Sequence, residues 1–244
     1  MSNCCKEGFK WQGTPTGKET TLAGNKAYVT GTNKDVAILI VHDIFGWTLN
    51  NLRLLADHYA NEVDATVYLP DFFAGEVVSE DVFEDPKKRE AFNPMEFIGR
   101  HSKEARWPEI KACAEALRKD YKKTGAIGFC YGGWAVFQLG AKGANLVDAI
   151  STAHPSLATK EEIANIAVPV QILAPETDPM LTPELKTYCN ETIPTLGVEY
   201  DYQFFPGLVH GFATRGDLND AKQKRGLERA KNSAVYWFVQ QLHV

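Results

Sequence analysis

The segment Gly128-Phe129-Cys130-Tyr131-Gly132-Gly133 sets a cysteine between two glycines, each two positions away. A short apolar stretch precedes it, and Trp134-Ala135-Val136-Phe137 continues it in helical composition. Where a strand turns sharply into a helix, the residue at the bend is forced into a strained backbone conformation. Side chains two positions to either side would collide there, so glycine is needed at 128 and 132. The helix that follows aims backbone N–H groups and the positive end of its dipole at the sulfur, which favours a thiolate. A thiolate presented in this way is a nucleophile for acyl transfer. For Cys130 taken alone, the competing reading is a small buried apolar residue.

A nucleophile needs a base, and the base needs an orienting carboxylate. Residues 168–174 run into Pro175-Glu176-Thr177-Asp178, and residues 199–205 run into Pro206-Gly207-Leu208-Val209-His210-Gly211-Phe212. Asp178 and His210 therefore fall just past the carboxyl ends of two strands, the edge at which open α/β sheets build their sites. Singly, Asp178 reads as a turn or capping residue and His210 as a loop histidine. Together with Cys130 they follow the chain order of an α/β-hydrolase triad. Two backbone N–H groups are also needed to hold the oxyanion of acyl transfer. They are assigned to Tyr131, directly after the nucleophile, and to Ile44 in the early loop His42-Asp43-Ile44-Phe45-Gly46-Trp47.

The elements that must position these residues alternate along the chain. The continuous apolar run at 36–41 suits a strand buried on both faces, 125–129 is a second such candidate, 65–69, 147–153 and 168–174 read as strands, and 199–205 alternates as an edge-ward strand. Residues 52–62, 102–123 and 229–242 read as helices, the last with Ala230, Val235, Phe238 and Leu242 on one stripe. Strands separated by helices predict an α/β fold with a mostly parallel central sheet, flanked by helices on both faces, in a single domain over 1–244. Residues 1–20 are expected to be a loosely ordered extension. The stretch 71–107 carries Phe72, Phe73, Phe83, Phe92, Phe97 and Trp107 among many charges with little periodicity. It is expected to form a wall or lid of the site, with a packed surface loop as the alternative.

The 244 residues carry 26 basic and 31 acidic side chains, a net charge of −5, with 44% hydrophobic and 23% charged residues. No basic block stands out, so no nucleic-acid partner is expected. No apolar run nears the roughly 20 residues that span a bilayer, so no membrane association is expected either. Five cysteines without a C-x-x-C spacing suit a reduced, cytoplasmic protein, with Cys4 and Cys5 at a frayed tip.

With these residues in view, the chain resembles the dienelactone hydrolase family, the carboxymethylenebutenolidase-like branch of the α/β-hydrolases. The resemblance rests on Val41-His42-Asp43-Ile44-Phe45-Gly46-Trp47, Pro70-Asp71-Phe72-Phe73, the cysteine elbow with its doubled glycine, Glu176-Thr177-Asp178 and His210-Gly211-Phe212. It implies a Cys130–Asp178–His210 triad, no metal, no cofactor, and hydrolysis of a small ester or lactone through a thioester. Use of the same triad for lactonisation, isomerisation or thioester cleavage, or a non-catalytic ligand-binding relative, are the alternatives. In the bacterial type, a glutamate in the first loop holds the resting thiol. At that position this chain has Asp43, one methylene shorter, either to meet the sulfur or only to brace the loop. It also implies arginines that hold a substrate carboxylate, with Arg215 first and Arg100 and Arg106 as further candidates. Phe45, Trp47, Tyr131 and Phe212 are expected to shape the pocket, with His42 and His154 at its edge or as satisfied structural histidines. The assembly is expected to be a monomer or homodimer.

Overall fold

The computed structural model of the chain describes residues 13–217 and 219–244. Cys4, Cys5 and the expectation attached to them lie outside that range. The strands are β1 (Lys18–Leu22), β2 (Asn25–Thr30), β3 (Val36–Val41), β4 (Thr66–Pro70), β5 (Lys123–Phe129), β6 (Ala149–Ala153), β7 (Val170–Thr177) and β8 (Tyr200–Val209). They form one sheet in the order β1-β2-β4-β3-β5-β6-β7-β8. Pairing from β4 through β8 is parallel, while β1 and β2 run antiparallel at one edge. Strand β1 begins at Lys18, inside the stretch read as a loose extension.

Every residue of β3 is buried, as its unbroken apolar run requires of a strand covered on both faces. Helix α1 (Asn50–Val63) turns Leu52, Leu55, Ala56, Tyr59, Ala60 and Val63 inward at helical spacing and ends where Asp64 adopts a left-handed conformation, φ 56°. Three short helices, α2 (Asp81–Glu84), α3 (Pro86–Ala91) and α4 (Pro94–Arg100), occupy the aromatic excursion, and α5 (Lys103–Asp120) follows it. Helix α6 (Gly132–Leu139) leaves the elbow, and α7 (Lys160–Ala164) and α8 (Pro183–Thr192) are small connecting helices. Helix α9 (Ala221–Leu242) closes the chain. Helices α1 and α9 pack together on one set of strands, while α5 and α6 form the opposite layer.

Helix α9 starts eight residues before the expected 229 because Asp220 caps it, accepting the N–H groups of Lys222 and Gln223. The stripe itself runs through Ala230, Ala234, Trp237, Phe238 and Leu242, with Val235 at its half-buried margin.

The sheet's carboxyl edge is set by register. Val41 pairs with Gly128, Phe129 with Ala153, and Ala153 with Leu173. His42, Cys130 and His154 are therefore the first residues beyond three adjacent strands. A shift between Pro175 and Thr177 then brings Thr177 opposite Val209, so Asp178 and His210 leave β7 and β8 side by side.

The approach of α6 to the sheet is close enough to exclude a methyl group. A Cβ at Gly132 would stand 2.1 Å from the Val41 carbonyl oxygen, whereas one on Gly99 in α4 would meet nothing. Gly132→Ala is expected to cost about 3 kcal/mol, seen as a lower urea midpoint, because the backbone it strikes cannot step aside. Gly99→Ala is expected to gain about 0.5–1 kcal/mol in the same assay.

Candidate active site

Cys130 sits at the elbow with φ 48°, a conformation that side chains rarely adopt. Room for the bend comes from the glycines: a Cβ at Gly128 would stand 2.3 Å from the Gly132 carbonyl oxygen. The end of β6 holds the bend. Thr152 donates its hydroxyl to the Gly128 carbonyl at 2.9 Å. Cys130 donates its N–H to the Ala153 carbonyl at 3.3 Å, and Ser156 donates its N–H to the Cys130 carbonyl at 2.8 Å. The Cys130 side chain stays partly exposed, and its sulfur lies 3.4 Å from the Ser156 hydroxyl.

His210 turns Nδ1 toward Asp178, 2.9 Å from each carboxylate oxygen. Asp178 also accepts the N–H groups of Met180 and Leu181 at 2.8 and 3.1 Å, which fixes the carboxylate. The two loops are laced together. His210 donates its N–H to the Thr177 carbonyl, Gly207 donates its N–H to the Glu176 carboxylate, and the Lys186 ammonium caps the Pro175 and Glu176 carbonyls. With Nδ1 committed, Nε2 is left for the nucleophile. Burial works against a charge on this ring, but the Cys130 sulfur and the Asp178 carboxylate outweigh it and lift the ring to about 10.

The N–H groups of Ile44 and Tyr131, the two assigned to the oxyanion, donate to no protein acceptor among the described residues. The Tyr131 side chain points the other way. Its hydroxyl donates to the His101 carbonyl at 2.7 Å, and its ring packs on Phe73 and Trp134.

Several expected site residues take other roles. Asp43 does not turn to the thiol. One carboxylate oxygen accepts the Phe45 N–H at 3.0 Å and the other accepts the Thr214 hydroxyl at 3.0 Å. A short side chain captures the donors nearest its own backbone, so Asp43 braces the oxyanion loop against the segment after His210. His42 is a satisfied structural histidine. Its Nδ1 meets the Asp43 carbonyl at 2.8 Å and its Nε2 accepts the Phe72 N–H at 3.1 Å, which fixes the tautomer with the proton on Nδ1. Trp47 packs its ring beneath the Arg53 guanidinium, 4.8 Å away, and so faces α1. Arg100 pairs with Glu76 and Glu96, and Arg106 with Glu109, leaving neither for a substrate.

Phe45, Phe212, His154 and Arg215 do gather beside the triad. The Arg215 guanidinium lies 4.0 Å from the centre of the Phe45 ring. His154 meets His210 edge to face at 5.0 Å and Phe212 at 5.7 Å. His154 is fully buried at φ 41°, with both ring nitrogens unbonded among the described residues. Burial, then the cations His210 and Arg215, push its pKa well below the usual range, so it stays neutral. Arg215 is 7% exposed, its Nε has no acceptor, and no carboxylate pairs with it among the described residues. The aromatic excursion touches this region through the hydrogen bond from the Val78 N–H to the Ile44 carbonyl. Phe72, Phe73 and Phe97 are buried behind the oxyanion loop. Sequence reasoning did not single out Ser156, Thr214 or Lys186, and it carried Glu176 only as part of the motif before Asp178. For Ser156 the available signal was its place three residues past the end of β6, two after His154.

Residues 24–242 match the model of the dienelactone hydrolase family. A hydrolase named tropI from Talaromyces stipitatus is 30% identical, with 97% of this chain and 94% of that one aligned. The human carboxymethylenebutenolidase homolog is 29% identical over 96% of this chain and 94% of its own. Among solved structures, a dienelactone hydrolase from Anabaena variabilis superposes with a TM-score of 0.65 at 13% identity, covering 93% of this chain and 97% of that one, which is a likeness of fold.

The protonated ring of His210 is a checkable property. Its proton is expected to persist until the pH approaches about 10, followed by nitrogen NMR of the imidazole. Because the folded ring holds its proton above its ordinary value of 6.5, the stability this adds is complete below that pH and is lost as the pH climbs through about 10. Cys130→Ala removes the largest influence that raises the ring, so its titration is expected to move to lower pH in that variant.

Proposed function

The chain belongs to the dienelactone hydrolase family of ester and lactone hydrolases, and we propose that it cleaves its substrate through a thioester on Cys130. The observation that carries this reading is the placement of the His210 ring, its Nδ1 2.9 Å from both Asp178 oxygens and its other side on the partly exposed Cys130 sulfur. The sulfur attacks the carbonyl carbon, and the N–H groups of Ile44 and Tyr131 receive the developing oxyanion. One such donor is worth on the order of 3 kcal/mol of barrier. The tetrahedral adduct collapses by breaking the acyl C–O bond, and the imidazolium of His210 passes its proton to the departing oxygen. In a lactone that oxygen remains tethered to the acyl chain. His210, now neutral, takes a proton from water, the hydroxide attacks the thioester, and the acid leaves as the sulfur is regenerated. Asp178 keeps the ring in its tautomer through both halves of the cycle.

Arg215 indicates the kind of substrate. A guanidinium buried against Phe45 that meets no carboxylate among the described residues is costly unless an anion joins it. One relative's name describes an unsaturated five-membered lactone with a carboxymethylene arm, a molecule that carries both an electrophilic carbonyl and a carboxylate. A small lactone or ester with an anionic arm fits both features of this site.

Cys130→Ala is expected to reduce hydrolysis of aryl esters and small lactones to background. Mass spectrometry of the wild type under turnover is expected to find acyl adducts on Cys130. Unchanged turnover by that variant would overturn the assignment. Arg215→Gln is expected to raise KM for a carboxylated lactone by about tenfold to a hundredfold, the worth of a hydrogen bond to a charged group. KM for a neutral aryl ester should hold, and an equal loss on both substrates would remove Arg215 from substrate recognition.

A further inference from the structure

Beside His210, the resting sulfur has a second hydrogen-bond partner that belongs to neither the first loop nor the triad: Ser156, on the loop that follows β6. We propose that the Ser156 hydroxyl is the donor that holds and tempers the Cys130 thiolate, the task that a carboxylate in the first loop does not perform in this chain. The inference rests on the reading of Cys130 as the nucleophile.

Three observations support it. The Ser156 oxygen lies 3.4 Å from the sulfur, and its hydroxyl has no other hydrogen bond among the described residues. An ionised sulfur has no proton to give, so in the thiolate form the hydroxyl must be the donor. Second, the contact is built in. Ser156 is 5% exposed, and its own N–H is anchored on the Cys130 carbonyl at 2.8 Å, so hydroxyl and sulfur are carried by one locked pair of turns. A Cβ at Gly133 would meet Pro155 at 2.3 Å, so the elbow and the Ser156 turn are packed backbone against ring. Third, the carboxylate that stood as the alternative partner is occupied, because both Asp43 oxygens are taken by Phe45 and Thr214.

The charged and titratable groups around the sulfur come from several elements. His210, backed by Asp178, faces it from the ends of β8 and β7. His154 stands at the end of β6 and is held neutral, while Arg215 and Asp43 sit on the flanking loops. None of these changes when the serine hydroxyl is removed, so a single substitution isolates its effect.

A donor to a thiolate raises the thiolate's population and lowers its reactivity. With a Brønsted slope of about 0.4–0.5, a tenfold change in population carries about a threefold opposite change in nucleophilicity. The test is the rate of iodoacetamide alkylation at Cys130 against pH, with the site of labelling confirmed by mass spectrometry, in wild type, Ser156→Ala and Ser156→Thr. Ser156→Ala is expected to shift the profile up by about one pH unit. It should react about threefold slower on the acid side and about threefold faster on the alkaline plateau, so that the two curves cross. The kcat/KM profile for an aryl ester should cross in the same sense, and Ser156→Thr, which keeps the hydroxyl, should follow the wild type. A uniform loss at every pH would assign Ser156 to packing and overturn the proposal, as would an unmoved profile or a threonine variant displaced as far as alanine. Failure of the nucleophile assignment reads differently: iodoacetamide would not select Cys130, or Cys130→Ala would retain hydrolysis.

Discussion

The site depends on a backbone angle. A cysteine at φ 48° is held about 1–3 kcal/mol above a relaxed conformation, and such strain survives only where the surroundings leave no alternative. Here they leave none. The glycines at 128 and 132 let strand, helix and β3 approach to distances that no Cβ would tolerate. Three hydrogen bonds from the end of β6 then pin the bend from outside. The return for that strain is a sulfur lifted off the sheet edge, with the first amides of α6 directed toward it. Were the elbow to relax, the sulfur would drop toward the core and its alignment with the ring, the oxyanion N–H groups and the serine hydroxyl would be lost together.

The second constraint is register. Asp178 and His210 are separated by a helix and a strand in sequence, yet they leave the sheet as neighbours because a shift after Pro175 resets the pairing of β7 with β8. The contacts of Glu176 and Lys186 then stiffen the two loops without touching the reacting groups. The result is a buried imidazole with its pKa raised, set between the Asp178 carboxylate and the Cys130 sulfur, with a histidine that burial keeps neutral at its side and a guanidinium that meets no carboxylate among the described residues. A second cationic histidine would repel the imidazolium. The burial that keeps His154 neutral therefore serves the triad, although it leaves two ring nitrogens without partners.

What was legible in the chain was what local chemistry dictates. The elbow declares itself because only glycine fits beside it, and strands β3, β5 and β7 because double burial demands unbroken apolar runs. The β1–β2 hairpin and the start of α9 carry no such pattern. Their residues are polar and are fixed by an edge position and by the Asp220 cap. Helices α2 to α4 were hidden for a related reason. Each is shorter than two full turns and is defined by capping residues such as Asp85 and Asn93, with no apolar stripe long enough to read. At the site, residue types predicted the triad, but they could not separate a pocket histidine from a satisfied one. His42 and His154 stand at equivalent strand ends. One finds a carbonyl and an amide, the other finds neither, and that difference is set by loops far away in sequence.

Asp43 shows how a single methylene redistributes work in a site. A side chain long enough to clear its own loop can reach the nucleophile. One carbon shorter, the carboxylate is caught by the amide two residues on and by the Thr214 hydroxyl. This ties the oxyanion loop to the segment that carries His210 and Arg215, so the groups that bind the oxyanion, move the proton and meet an anionic substrate are joined through one buried carboxylate. Beside the His210 imidazole, the sulfur then meets a neutral hydroxyl, that of Ser156. A carboxylate beside a thiolate repels it and must shed its charge or swing away before the thiolate can persist, whereas a hydroxyl can hold the ionised sulfur with no such rearrangement. Ser156 is fastened to the same turn as that sulfur, so under the proposed reading its hydroxyl meets a thiolate without any carboxylate having to move.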